Sequence, residues 1–194
     1  QKCEAILQAW YPGQQGGKAV AEVLFGDYNP AGKLPVTFYR NVSQLPDFED
    51  YNMAGRTYRY MQDVPLFPFG YGLSYTTFGY GKTVLDKNEL TAGQSLKLTV
   101  PVTNTGKRNG EEVVQVYLRK QGDAEGPIKT LRAFKRVSIP AGKTVNVEFD
   151  LKDKELEWWD DQSNTVRVCP GNYDIMVGGS SKEEDLQRTT IAIK

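Results

Sequence analysis

From about Thr83 to the end of the chain, apolar and polar residues alternate in short segments. An alternation of period two places the apolar side chains on one face of a β-strand. Turn sequences rich in glycine, proline and asparagine separate the segments at 105–110, 140–143 and 170–172. The apolar positions that define the strands are Leu96, Leu98, Val100 and Val102; Val114, Val116 and Leu118; Val145, Val147, Phe149 and Leu151; Tyr173, Ile175 and Val177; and Ile191 and Ile193.

The number and spacing of these strands are typical of a β-sandwich of the immunoglobulin or fibronectin type III kind. Cys169 is the only cysteine in this part of the chain, which excludes the disulfide between sheets of antibody domains. The predicted fold class is therefore mainly β, with the sandwich preceded by a truncated α/β segment and an aromatic linker.

The first forty residues have a different pattern. Apolar spacing predicts helical segments at Glu4–Trp10 and Lys18–Phe25, with Gly26 as the C-cap of the second. A short strand is expected at Leu34–Phe38, where Pro35 restricts it to a sheet edge or a strand start. These elements cannot close a core by themselves, so we interpret them as the end of an α/β domain whose sheet lies upstream.

Between these parts lie a polar crossing at 39–64 and the stretch Pro65–Phe78, which is rich in aromatic residues, proline and glycine. Such a rigid, apolar and irregular segment is expected to be buried between two domains. The predicted division is 1–40 for the α/β remnant, 41–82 for the linker and 83–194 for the sandwich.

Composition narrows the function classes. The chain has 24 basic and 24 acidic residues, and this balance argues against nucleic-acid partners and anionic membrane surfaces. No apolar run is long enough to predict a membrane span. The chain has no histidine, which excludes Ser-His-Asp, Cys-His and HExxH chemistry. Cys3 and Cys169 are expected to be free thiols, although their separation leaves a disulfide open.

Several polar clusters are candidates for chemistry, each with a plainer alternative. Asp47, Glu49 and Asp50 are candidates for a general acid and base, or a solvated acidic loop. Asp160 and Asp161 follow Trp158 and Trp159 and suggest a calcium or sugar site, or a strand end with one tryptophan in the core. The sequence 183–185 (Glu-Glu-Asp) is expected to be a solvated hairpin loop.

Arg56 and Arg59 are candidates to clamp a carboxylate or a sugar hydroxyl, or to form hydrogen bonds between domains and stack on tyrosines. The sequence 14–17 (Gln-Gln-Gly-Gly) before a helix suggests a weak anion site or a tight turn. The triplet 41–43 (Asn-Val-Ser) fits a glycosylation acceptor, a pattern that also arises by chance. From the residues alone, none of these clusters forms a catalytic constellation.

Two motifs resemble a known family. Residues 10–38 (WYPGQQGGKAVAEVLFGDYNPAGKLPVTF) closely resemble the late part of the second domain of glycoside hydrolase family 3, and residues 58–76 resemble that family's linker into its fibronectin type III-like domain. The resemblance implies a retaining, exo-acting β-glycosidase. In the family, an aspartate nucleophile lies in a (β/α)8 barrel, and the second domain supplies a glutamate as acid and base.

Neither catalytic residue of the family maps onto a position here, so we predict no catalytic residue in this chain. Glu4 and Glu22 are helix residues of the motif rather than substitutes. The resemblance implies no cofactor or metal, a periplasmic or secreted location, and a chain that is inactive alone. Residues 50–60 resemble the β-xylosidase branch of the family. This resemblance ranks the expected substrates of the parent as β-xylosides first, β-glucosides second and arabinofuranosides third.

Three hypotheses follow for the role of the chain. It is the C-terminal part of a glycosidase that stabilises the parent enzyme; or a carbohydrate- or surface-binding module using Trp158 and Trp159; or an adhesion-like structural domain. The segment 10–38 favours the first, because a free-standing module has no need of it. The expected partners are the rest of the parent chain, including its barrel, and an oligo- or polysaccharide. Self-association is expected if the apolar residues Val20, Val23, Leu24 and Val36 stay uncovered.

Overall fold

The computed structural model describes residues 3–194, and within them the chain forms eleven strands and three short α-helices. The helices are α1 (Gly16–Phe25), α2 (Thr57–Tyr60) and α3 (Asp153–Leu156), with 3₁₀ turns at Val42–Gln44 and Glu183–Asp185. The strands are β1 (Phe78–Tyr80), β2 (Val84–Leu85), β3 (Glu89–Leu90), β4 (Leu96–Asn104), β5 (Gly110–Lys120), β6 (Thr130–Ile139), β7 (Thr144–Leu151), β8 (Trp158–Asp160), β9 (Thr165–Arg167), β10 (Gly171–Gly178) and β11 (Gln187–Ile193).

Two sheets enclose one apolar core. In the first sheet β4 is central, with β7 along one edge and β1 and β2 in succession along the other. The second sheet has the order β3-β11-β10-β5-β6, antiparallel except for the short β3–β11 pair. A separate hairpin, β8–β9, stands beside them. The predicted β-sandwich is confirmed.

The core lies between the faces that the alternation predicted. On β4, Leu96, Leu98, Val100 and Val102 are fully buried, while the residues between them are exposed or half-buried. Burial of one such side chain stabilises the fold by about 1.5–3 kcal/mol relative to leaving it in water. The second sheet contributes its own buried set, Val114, Val116, Leu118, Tyr173, Ile175, Val177, Ile191 and Ile193.

Helix α1 confirms the prediction for 18–25, and it ends as expected. Gly26 has φ 81°, a left-handed conformation that costs glycine little, and its N–H donates to Val23 O at 3.1 Å. The helix is covered on one side only. Val20 and Val23 are half-buried, whereas Leu24 is 66% exposed and Phe25 is 83% exposed.

The helix predicted at Glu4–Trp10 is wrong, because the described residues of this segment are not helical. Seven residues give fewer than two turns, too few to be stable without packing. Ile6, Leu7 and Trp10 are largely exposed, and Trp10 has a positive φ of 54°. Trp10 contacts the ring of Phe38, at 6.3 Å between centroids, but no such contact holds the described residues before it in a helix.

The strand predicted at Leu34–Phe38 is also wrong as a regular strand. It is reduced to a single bridge between Phe38 and Phe67. Leu34 N donates to Tyr71 O and Phe38 N donates to Phe67 O, both at 2.9 Å, while Pro35 has no N–H to offer. The segment is therefore pinned to the aromatic linker at its two ends rather than paired along its length.

The alternation pattern identified no positions on β6, although it has ten residues. This strand is at the edge of its sheet, and its burial does not alternate. An irregularity in its pairing with β5, between Val116 and Tyr117, places Arg132 as an extra residue on β6. The division into 1–40, 41–82 and 83–194 stays a prediction; β1, which pairs with β4, lies inside the second range.

Candidate functional site

The aromatic linker lies between the first forty residues and the sandwich, and it bonds to both. Gly70 N donates to Leu34 O at 2.7 Å, and on the other side Ser181 N donates to Phe69 O at 2.9 Å. Tyr58 stacks on Phe69 with 4.3 Å between ring centroids. The predicted location of this stretch, between two parts of the molecule, agrees with these contacts.

A buried glutamine on β5 holds the linker at its most constrained point. Gln115 Nε2 donates to Gly70 O at 3.2 Å and to Gly179 O at 2.6 Å, while Tyr117 OH donates to Gln115 Oε1 at 2.5 Å. Gly70 has φ 77°, and a Cβ there would lie 2.0 Å from Gln115 Oε1. Burial raises the pKa of Tyr117, which keeps its hydroxyl protonated as a donor. Only glycine fits this contact.

A second link is a buried ion pair. Lys33 Nζ lies 3.0 Å from Glu112 Oε1, and the two side chains are only 16% and 7% exposed. The same Nζ donates to Gly72 O at 3.1 Å, so Lys33 connects the first segment, the linker and β5. Burial, and then the charge of Glu112, raise the pKa of the neighbouring Tyr80. Loss of one partner would leave a buried charge without compensation.

A third link closes the C-terminal end of α1. Tyr75 OH donates to Val23 O at 2.6 Å, and Arg108 Nη1 donates to Gly26 O at 3.3 Å. The Arg108 guanidinium also lies over the Tyr75 ring, 5.7 Å from its centroid. A cation at a helix C-terminus is favoured by the helix dipole. The sandwich loop that carries Arg108 therefore fixes the orientation of α1.

Two clefts open beside the linker. The first cleft, of about 430 Å³, has Tyr58, Phe67 and Tyr71 in its wall together with the 181–184 turn. The second cleft, of about 590 Å³, lies over Lys33 and Glu112. The first falls in the size range of small-molecule pockets and is mostly apolar with a few polar groups, which is the usual character of a ligand site.

No contact joins the acidic residues of the crossing loop into a catalytic pair. Asp47 and Glu49 are exposed. Asp50 Oδ1 accepts from the backbone N–H of Asn52 at 2.9 Å and from its side chain at 2.8 Å, and these bonds lower the pKa of Asp50. A lowered pKa suits a carboxylate that stays ionised and not a general acid. The loop has the geometry of the plainer, solvated alternative.

The two candidate arginines make contacts within the molecule. Arg56 Nε donates to Asn52 O at 2.7 Å, and its Nη2 bonds to Asp50 O. The Arg59 guanidinium lies 5.5 Å from the centroid of the Tyr60 ring, and Arg59 O accepts from Ile128 N at 2.6 Å. Arg59 thus combines tyrosine stacking with a bond to the sandwich, the second of the two sequence-based alternatives.

The two tryptophans have different environments. Trp158 is 2% exposed and packs in the core against Tyr173, whereas Trp159 is 49% exposed. The hypothesis of a paired stacking surface is therefore wrong for Trp158, which no ligand can reach. Asp161 accepts from Trp159 Nε1 at 2.8 Å. Asp160 accepts from Ser163 and Arg167, which hold the pKa of Asp160 at about 2.

The turn at 183–185 is not merely solvated, contrary to expectation. Glu183 pairs with Lys129 at 2.7 Å, and it also pairs with Arg188. Partial burial raises the pKa of Glu183, but the bonds from these two cations outweigh burial and the pKa is lowered. Lys129 is almost fully buried, because the linker and this turn close over it.

The remaining candidates have local roles. Gly16 begins α1 after Gln15, whose side chain makes no capping bond. Asn41 Oδ1 accepts from Ser43 N at 3.1 Å and from its hydroxyl at 2.6 Å. Glu22 forms an exposed pair with Lys18 at 3.7 Å, and Glu4 is exposed.

Both cysteines are free, as predicted, with Cys3 exposed and Cys169 buried. Within the described part of the chain, no group of three or more acidic or cysteine residues is arranged to hold a metal ion. No helix among residues 3–194 is long and apolar enough to cross a membrane.

The residues that join the first segment and the aromatic linker to the sandwich were not identified from the sequence. They are Lys33, Glu112 and Gln115. One indication was available: Val113 to Leu118 form an almost unbroken apolar run, which is typical of a strand buried on both faces. The outer face of β5 is buried because the linker covers it, and Glu112 and Gln115 are the polar positions near that contact.

Two protein-family models match the chain. The model for the glycosyl hydrolase family 3 C-terminal domain matches residues 1–75, and that for a fibronectin type III-like domain matches residues 112–181. Together they cover both parts of the fold.

Individual relatives agree with these models. The chain is 55% identical over 193 residues to a xylan 1,4-beta-xylosidase of Xylanibacter ruminicola, covering 100% of this chain and 22% of that protein. It is 38% identical to a periplasmic beta-glucosidase of Salmonella typhimurium, covering 93% of this chain and 25% of that protein. A solved β-glucosidase structure from Erythrobacter marinus is similar with a TM-score of 0.81 and 41% identity, covering 95% of this chain and 24% of that one. The chain thus spans about a quarter of the length of these relatives.

Proposed function

We propose, since the chain belongs to glycoside hydrolase family 3, that it is the C-terminal part of a retaining, exo-acting β-glycosidase that prefers β-xylosides to β-glucosides. The observation that carries the substrate preference is the 55% identity to a xylan 1,4-beta-xylosidase, against 38% to a periplasmic beta-glucosidase. A beta-xylosidase of Formosa agariphila, at 43% identity, adds to this support.

In this proposal both catalytic carboxylates belong to the rest of the parent protein. A retaining glycosidase needs two carboxyl groups about 5–5.5 Å apart, one as nucleophile and one as acid and base. The acidic loop at 47–50 offers exposed carboxylates and one with a lowered pKa, which does not favour a general acid. The chain alone is therefore expected to be inactive.

The role of this chain in the parent is to hold the end of the α/β domain in place. Three links support this role: the Lys33–Glu112 ion pair, the Gln115 bonds to the linker, and the Arg108 contact at the end of α1. The exposed Leu24 and Phe25 on the outer side of α1 are proposed to pack against the rest of that domain, or against a second copy when the chain is isolated. A periplasmic or secreted location is part of the proposal, supported by the periplasmic relative.

The test is hydrolysis of 4-nitrophenyl β-xyloside and β-glucoside by the longer parent protein and by this chain, side by side. We expect an active parent with the higher kcat/KM on the xyloside, and no activity in the chain. A parent that prefers the glucoside would overturn the substrate preference. Activity in the chain alone would overturn the assignment of both carboxylates to the rest of the protein.

A further inference from the structure

We propose that the first cleft binds a neutral oligosaccharide. The choice of a saccharide rests on the proposed function, because a glycosidase of this class works among β-linked oligosaccharides.

Aromatic rings form much of the wall. Phe67 and Tyr71 stack on each other, with 5.6 Å between centroids and 17° between their planes. Both residues are half-buried and line the cleft. Tyr58 adds a third ring, whose position is fixed by stacking on Phe69 and by a hydrogen bond from Leu131 N to its hydroxyl. Such surfaces suit the C–H face of a sugar ring.

The charges around the cleft balance. Three are positive (Arg40, Lys129, Lys182) and three are negative (Asp63, Glu183, Glu184). Two of the possible pairs are formed, Lys129–Glu183 and Lys182–Glu184, each at 2.7 Å. A balanced set disfavours an anion or a cation as ligand, while it offers both donors and acceptors to hydroxyl groups. An uncharged, polyhydroxylated ring fits this combination.

The ion pairs also keep the polar groups in place before a ligand arrives. Glu183 is held from two sides by Lys129 and Arg188. The neighbouring Ser181 N bonds to Phe69 O, which fixes the turn against the linker. Preorganised side chains lose less conformational entropy on binding. The volume of about 430 Å³ lies within the range of small-molecule sites.

The exposed tryptophan on the β8–β9 hairpin is a weaker candidate for the same ligand. Trp159 stands on a small hairpin whose other strand is exposed throughout. Single exposed apolar side chains are common on protein surfaces and need no ligand to explain them. The concave cleft therefore carries the proposal, and Trp159 serves as a control.

The experiment is an NMR titration of the ¹⁵N-labelled 194-residue chain with xylotriose, which reports binding residue by residue. We expect saturable shifts at the backbone amides of 66–71, apart from Pro68, which has no N–H, and of 181–184. The variant Tyr71→Ala should raise the Kd about tenfold by removing an aromatic face, and Glu184→Ala about threefold. Trp159→Ala and Lys18→Ala, which lie outside the cleft, should leave the Kd unchanged.

Several results would overturn the proposal. These are an absence of shifts at high xylotriose concentration, shifts confined to Trp159 and its hairpin, or an unaltered affinity in Tyr71→Ala and Glu184→Ala. The same variants are then compared in the longer parent by calorimetry, with its catalytic site saturated by a competitive inhibitor. Binding in the chain but not in the parent would show that other parts of the protein fill the cleft, and would also overturn it.

The outcome is independent of the hydrolysis assay. A parent without xylosidase activity would refute the proposed function even if the cleft bound xylotriose. Conversely, an active xylosidase whose cleft bound no sugar would refute only the present inference. Glu184→Ala separates binding from folding, because Glu184 is exposed and its loss removes no buried contact.

Discussion

The sandwich and the segment before it use their apolar residues in opposite ways. Among the residues described before β3, Ala31 is the one hydrophobic residue that is buried, whereas every other buried hydrophobic residue lies at or after Leu90. Large exposed hydrophobic residues show the reverse distribution. After β1 they are only Val84, Phe134, Trp159 and Val166, while the earlier segment exposes many, including Phe25, Phe48 and Tyr51.

This difference shows that the two parts owe their structure to different contacts. The sandwich is closed by its own core, as an independent domain is. The earlier segment has no core of its own among the described residues, and it is held by specific links to the sandwich, among them one ion pair, one glutamine and one arginine. Its exposed apolar residues form a surface of the kind that is normally covered by other protein.

The largest expected effect tests the core against the exposed helix face. Leu98 is fully buried between the sheets, and Leu98→Ala should lower the free energy of unfolding by about 3 kcal/mol. Leu24→Ala removes the same atoms from a side chain that is 66% exposed, and should cost less than about 0.5 kcal/mol. Urea denaturation of the 194-residue chain measures both. Equal losses would mean that α1 is buried in solution, by self-association or otherwise.

The next effect tests the close contact between linker and sandwich. Gly70→Ala places a methyl group on Gln115 and forces alanine into a positive φ, so we expect a loss of about 2.5 kcal/mol in unfolding free energy. Gly93→Ala is the matched control, because Gly93 has φ 87° with nothing within 4 Å. It should cost only the backbone strain, about 1 kcal/mol. If both variants lost the same amount, the Gln115 contact would not matter to stability.

The third effect tests the buried ion pair. Lys33→Met leaves Glu112 without its partner at a site that is mostly but not fully buried, and should destabilise the chain by about 2 kcal/mol, below the range for fully buried pairs. Adding Glu112→Gln removes the stranded charge, so the double variant should recover part of that loss. Urea denaturation of all four proteins forms a double-mutant cycle. A double variant as unstable as the sum of the singles would show that the two side chains act independently.

The comparison also explains how far the sequence was informative. Alternation identified β4, β5, β7, β10 and β11 because each has one face on the core, and that is a local property of the chain. It did not find β6, an edge strand whose exposure does not alternate. The helix predicted at 4–10 is wrong for the opposite reason. The spacing of its apolar residues is helical, but the contacts that would stabilise a helix are not present in its surroundings.

The interface was beyond pattern analysis for a related reason. Lys33 and Glu112 are 79 positions apart, and Gln115 reaches Gly70 across 45. Such contacts depend on how the linker lies against β5, which periodicity does not encode. The aromatic stretch itself was predictable, because glycine, proline and aromatic residues in one short segment indicate rigid, buried backbone.

The smallest effect concerns a third kind of region, the β8–β9 hairpin, where polar bonds replace a core. Ser163 and Arg167 lower the pKa of Asp160 to about 2, and its usual value is 3.8. A group with a lowered pKa in the folded state stabilises the fold above its unfolded pKa, and this contribution is lost as the pH falls from about 4 towards 2.

Carboxyl NMR titration should therefore show the pKa of Asp160 rising towards 3.8 in Ser163→Ala and in Arg167→Gln. Because Arg167 is 50% exposed and water screens its charge, each variant should lower the unfolding midpoint at pH 7 only slightly, and the difference from the unaltered chain should vanish below about pH 2. A clear loss of stability at pH 7 would mean that the hairpin network supports the sandwich. The contrast between a strongly stabilising core and weakly stabilising surface bonds would then not hold in this region.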